Sequence, residues 1–127
     1  MRLVSNTHSS FRGLLDDQHE FSNINLVLGN NGDGKTSLLE AIYVSMLGTP
    51  LNSFSKAGRE LSRNNEALFS TESKVIDHRG NINIHRFSCT NKARKHVIDD
   101  KTTTIRNAYL RTPISLIDSN VEKIASE

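Results

Sequence analysis

One cysteine, Cys89, stands in 127 residues, so no internal disulfide is possible and a reduced, cytoplasmic setting fits. No apolar run approaches the roughly 18 residues of a membrane-spanning helix, so no membrane partner is expected. The opening Met1-Arg2-Leu3-Val4-Ser5-Asn6 lacks the apolar stretch of a secretory leader. Charge of one sign is also scarce. Sixteen Lys and Arg against 14 Asp and Glu leave a net charge of +2, which permits a nucleic-acid partner without requiring one. Internal repeats and low-complexity tracts are missing. His8 and His19 lie in polar stretches with no partner at metal-ligand spacing, and read as solvated surface side chains. What remains, 35 % apolar and 24 % charged residues, is the composition of one globular domain with a modest core.

The most informative stretch runs from Ile24 to Ser37. Ile24, Leu26, Val27 and Leu28 form a short apolar run suited to a buried parallel strand. Gly29-Asn30-Asn31-Gly32-Asp33-Gly34-Lys35-Thr36 follows it and fits the phosphate-binding pattern G-x-x-x-x-G-K-[ST]. Glycines let backbone N–H groups turn toward phosphates without interference from a Cβ. Lys35 would reach the β- and γ-phosphates, and Thr36 would place its hydroxyl on Mg²⁺. A helix starting near Lys35 would add the positive end of its dipole and carry Ser37 in its first turn. Leu38, Leu39, Ile42, Met46 and Leu47 make one stripe of that helix, and Gly48 with Pro50 ends it. The spacing therefore predicts binding of a nucleoside triphosphate.

Before this stretch, residues 1–4 suit a strand, Phe11 to Leu15 follow a polar turn, and Asp16 to Glu20 read as a charged connection. After Pro50 the polar segment 52–65 reads as a loop with at most a short helix. From Ala67 to Ile98 the apolar period falls to about two. Turn residues at His78 to Asn81, Asn91 to Arg94 and Asp99 to Lys101 divide this region into an antiparallel β-meander. Thr102 can cap a helix through about Leu110, Pro113 breaks it, and Ile114 to Ile117 suit a last buried strand. Cys89 reads as a buried strand residue. The fold class expected is α/β (α+β), a P-loop lobe with an appended antiparallel meander. One domain of 127 residues is expected, with a core at 1–50, a meander at 66–101, and a helix and strand at 102–127.

Hydrolysis needs an acid that organises Mg²⁺ and water. Ile114-Ser115-Leu116-Ile117-Asp118 has the form of a strand ending in such an acid, whereas Asp77 and Asp99 fall in hairpin turns that favour Asp for backbone reasons. Arg86, Lys92, Arg94, Lys95, Lys101, Arg106 and Arg111 are interleaved with acids and carry no aromatic platform, so they read as solvated surface rather than a DNA face.

The narrower form Gly29-x-Asn31-Gly32-x-Gly34-Lys35-Thr36 resembles the ABC-type ATPases of the SMC and RecF group. The continuation Lys35-Thr36-Ser37-Leu38-Leu39-Glu40-Ala41-Ile42-Tyr43 is similar to RecF-type DNA replication and repair ATPases. Phe11-Arg12 matches that family's aromatic–basic pair after the first strand, although Gly13 replaces its usual small polar residue or Asn. Glu66-Ala67-Leu68-Phe69 and the hairpins beyond resemble its β-subdomain. The resemblance implies an incomplete, ABC-head-like ATP-binding lobe, truncated or naturally short, because the signature motif and the Walker B acid belong to later segments. It further implies ATP and Mg²⁺ as cofactors and Arg12 as a nucleotide contact. Family partners would be double-stranded or gapped DNA, an ATP-dependent homodimer and recombination mediator proteins, in the DNA damage (SOS) response. Alternatives from the residues alone are a self-contained P-loop NTPase or kinase using Asp118, or a non-catalytic ATP-binding interaction module.

Overall fold

In the computed structural model, residues 2–22, 25, 35–50, 57–63, 68–90 and 93–111 are described. All of the strand expected at Ile24 to Leu28 except Asn25, the loop Gly29 to Gly34, and everything from Thr112 onward, Asp118 included, lie outside them. The elements are β1 (Arg2–Ser9), β2 (Asp17–Glu20), α1 (Lys35–Leu47), a 3₁₀ turn (Arg59–Leu61), β3 (Phe69–Ile76), β4 (Ile82–Cys89), β5 (Arg94–Ile98), β6 (Lys101–Thr102) and α2 (Ile105–Arg111). The strands form one six-stranded sheet in the order β2-β1-β3-β4-β5-β6, antiparallel at every pairing.

Local turn chemistry accounts for the meander. At the β3–β4 turn Gly80 adopts φ +83°, and Asp77 accepts hydrogen bonds from the backbone N–H groups of Arg79 and Asn81, each at 2.9 Å. At the β5–β6 turn Asp99 and Asp100 sit at φ 50° and 67°, so both central residues are left-handed, as a type I′ hairpin requires. Neither aspartate ends a strand toward a metal. Both are turn residues, as expected.

β1 joins this meander rather than standing apart from it. It pairs with β3 along almost its whole length, and the register shifts between Leu3 and Ser5. Side chains alternate with period two, so an extra residue changes the parity of the strand. Leu3 is thereby placed opposite Val75, while Asn6 and His8 stand opposite Ser73 and Thr71 on the same face. The first strand is accordingly longer than residues 1–4, and part of the charged connection, Asp17–Glu20, is strand β2.

α1 lies across β3 and β4. Two apolar clusters flank its line of contact. One gathers Phe11, Ala41, Val44, Ala57, Leu61, Phe69, Phe87 and Cys89; the other Met46, Leu47, Val75 and Ala108. Phe11 meets Phe69 edge-on at 5.6 Å, and Phe69 stacks with Phe87 at 5.9 Å. Burying each such ring contributes about 2–3 kcal/mol. Between the clusters the contact is polar. Thr71 donates to the Ala41 carbonyl at 2.9 Å, the Ser45 and Ser73 hydroxyls meet at 2.5 Å, and His96 Nε2 donates to the Ser45 carbonyl at 2.8 Å. Direct bonds from strand side chains to helix carbonyls need a close approach, so the sheet-facing line is small: Ala41, Ser45 and Gly48. Of the stripe expected from hydropathy, Leu38, Met46 and Leu47 are buried and Ile42 packs against the second cluster, whereas Leu39 points outward.

Two more expectations change. His8 is buried, not solvated: its Nδ1 contacts Asn6 Oδ1 at 3.1 Å, its Nε2 the Leu15 carbonyl at 3.0 Å, and its ring stacks on His19 at 5.4 Å. Burial pushes the His8 imidazole below its ordinary value, against the opposing pull of the Leu15 carbonyl. The cap of α2 is Thr104 rather than Thr102, since Thr104 Oγ1 accepts from Asn107 N at 3.2 Å while Thr102 belongs to β6.

Candidate functional site

α1 begins at Lys35, so Lys35, Thr36 and Ser37 occupy its first turn, and no acidic residue accompanies them there. The backbone N–H groups of a first helical turn lack intrahelical acceptors and present a positive dipole end. Thr36 is exposed and Ser37 half-buried. An exposed hydroxyl at Thr36 and a helix start free of acids are groups of the kind that anions and Mg²⁺ accept.

Arg12 reaches this helix from the loop that follows β1. Its backbone is left-handed, at φ 45°, and its N–H donates to the Leu61 carbonyl at 2.7 Å. The preceding residue, Phe11, is fully buried beside Phe69, and an isolated bridge joins it to Ser62. The loop is closed further on. Arg63 N donates to the Ser10 carbonyl at 2.6 Å, and Arg63 pairs with Asp16 at 2.9 Å while also reaching the Leu14 carbonyl. Asp16 accepts from Ser10 N at 2.9 Å, and this bond, more than the Arg63 pair, holds its carboxyl below the usual carboxylate value. Segment 57–63 is therefore a brace against the Arg12 loop, a role that its polar composition did not disclose.

From that loop the Arg12 side chain forms an ion pair with Glu40, through Nε to Oε1. Glu40 is nearly buried, with 6 % of its side chain exposed, against 42 % for Arg12. Sequence pattern points to Arg12 but not to Glu40. The signal was present, a lone acid in the apolar run Leu38-Leu39-Glu40-Ala41-Ile42, one helical turn beyond Thr36.

Other groups are not brought to this place. Arg86 pairs with Glu72 across the outer face of the sheet, and Lys95 is exposed on the same face. No cluster of three or more His, Cys, Asp or Glu that could hold a metal occurs among the described residues. Nor is any helix among them long and apolar enough to cross a membrane.

A family described as an AAA domain matches residues 9–126, and the chain belongs to that family. Among solved structures, that of the recombination mediator protein RecF with ATP, from the RecFOR pathway, superposes with a TM-score of 0.72 at 25 % identity, covering 81 % of this chain. A second RecF structure, described with ATPrS, gives 0.70 at 23 % identity over 80 % of this chain. The SMC head domain from Thermotoga maritima gives 0.64 at 15 % identity over 87 % of this chain. The chain spans 28 % and 27 % of the two RecF chains and 42 % of the SMC head. No curated protein matches it significantly. The fold is thus the one that RecF and SMC ATPase heads share, present here in part.

Proposed function

We propose that this chain is the ATP-binding part of a RecF-like DNA replication and repair ATPase. The observation that carries the reading is the start of α1 at Lys35, directly after the Gly29–Gly34 glycine pattern, in a fold that superposes on an ATP-bound RecF. Gly29, Asn30, Asn31, Gly32, Asp33 and Gly34 would cradle the phosphates with their backbone N–H groups, and Lys35 and Ser37 would contact them from the helix. Thr36 would ligate Mg²⁺ and Arg12 would help fix the nucleotide. The metal's chemistry is to neutralise phosphate charge; this chain's part is to bind and orient. Turnover is assigned to a completed site and not to this chain alone. Double-stranded or gapped DNA, a second ATP-bound copy and recombination mediators are the partners that fit, in the cytoplasm and in the response to DNA damage.

Equilibrium titration with ATP tests the reading. Losing a charge-assisted bond of about 1.5–3 kcal/mol, Lys35→Ala should weaken affinity by tenfold or more. Equal affinity in wild type and Lys35→Ala would overturn the assignment. Phosphate release that vanishes in Asp118→Ala would instead favour a self-sufficient NTPase.

A further inference from the structure

Arg12 and Glu40 lie 28 positions apart in sequence, yet they meet at the flank of the helix that carries Lys35 and Thr36. Residues four apart on a helix share a face, and a helical side chain leans toward the N-terminus over the preceding turn. Glu40 therefore projects over the turn that holds Thr36. Its carboxylate takes hold of Arg12 by Nε, and among the described residues none bonds the two terminal nitrogens of the guanidinium. An arginine gripped by its Nε edge still offers its outer nitrogens to an anion.

We infer that Glu40 is a positioning residue: it orients the Arg12 guanidinium toward the phosphate-binding end of α1. The inference rests on the ATP-binding reading above and deepens it. Three features support an orienting role over a casual surface pair. Glu40 is the buried partner, so few rotamers are open to it and the arginine is the member being steered. The Arg12 backbone is already fixed at φ 45° by the Leu61 carbonyl, and Phe11 is locked in the core. Finally, an acid beside a phosphate site is unfavourable for anion binding unless a cation covers it. Arg12 supplies that cover, so the two residues act as one unit.

A double-mutant cycle on the full 127-residue chain, read by ATP titration, tests this. Arg12→Ala and Glu40→Ala should each weaken ATP binding roughly tenfold, the loss expected for one charge-assisted contact. In the Arg12→Ala background, Glu40→Ala should cost nothing further and should regain part of the affinity, because its favourable effect runs through Arg12 and the acid left behind is no longer covered. Glu40→Gln keeps an acceptor for Nε and should recover much of the affinity, which guards against a simple folding defect in the Ala variant. A purely structural role would instead give the same loss in both backgrounds, with a parallel fall in nucleotide-free thermal stability. That result, or wild-type affinity in Glu40→Ala, would overturn the inference while Lys35-dependent ATP binding stands. Absence of any Lys35-dependent binding would overturn both.

Discussion

Replacing Gly48 by alanine combines two costs that a second glycine can separate. Gly48 follows α1 at φ +75°, its N–H donating to the Val44 carbonyl at 2.8 Å. A Cβ there is strained by the left-handed backbone, at about 1–2 kcal/mol. It would also lie 2.9 Å from Nδ1 of His96. That ring is buried and tethered by Nε2 to the Ser45 carbonyl at 2.8 Å, so it cannot swing aside without losing the bond. Overpacking of this kind costs about 1–3 kcal/mol. Gly80 has nearly the same backbone, φ +83°, but nothing lies within 4 Å of its added Cβ. Gly80→Ala should then cost about 1–2 kcal/mol and Gly48→Ala about 2–5 kcal/mol, the difference being the collision alone. Against a typical total of about 5–15 kcal/mol, the larger loss is easily resolved. Urea denaturation, with the slope checked for constancy between variants, measures both. If Gly48→Ala proved no costlier than Gly80→Ala, the close approach of α1 to His96 would be refuted.

Two further perturbations probe the polar contact and the meander. Asn6 Nδ2 donates to Thr71 Oγ1, Ser73 Oγ and the Glu72 carbonyl at 3.0, 3.0 and 3.2 Å. Asn6→Leu strands these acceptors and should destabilise by about 2–3 kcal/mol, with no loss in denaturation experiments ruling out the network. The Asp77 carboxyl is held below its ordinary value of 3.8, first by the Asn81 N–H and then by the Arg79 N–H. A depressed folded value means stability that is fully present above pH 3.8 and lost as pH falls through the folded value. Asp77→Asn should therefore flatten the acid end of the stability–pH curve, and an unchanged curve would count against the turn geometry.

Much of the meander was legible because its signals are local. Gly80 with Asn81, and Asp99 with Asp100, specify reversals within a few residues, whatever lies beyond them. The helix from Lys35 to Leu47 was legible for the same reason, its end marked by Gly48. Glu40 was not: inside a helical pattern one acid looks like an ordinary interruption, and only the approach of Arg12 gives it a role. His8 failed in the opposite direction. Its polar neighbours suggested solvent, but the structure covers polar groups with other polar groups.

By itself the sequence determined the candidate phosphate-binding chemistry, since that depends on a contiguous spacing running from Gly29 to Ser37. It also determined the hairpins and the start of α1, through turn and helix preferences that act over a few residues. Tertiary structure decided which face of the sheet meets the helix, that β1 and β2 join the meander, and that Arg12 is held by Glu40. These depend on register and on contacts such as Asn6 with Thr71, 65 positions apart, whose partners no local pattern names. A single register shift between Leu3 and Ser5 sets the parity of β1, and with it the side chains that α1 meets.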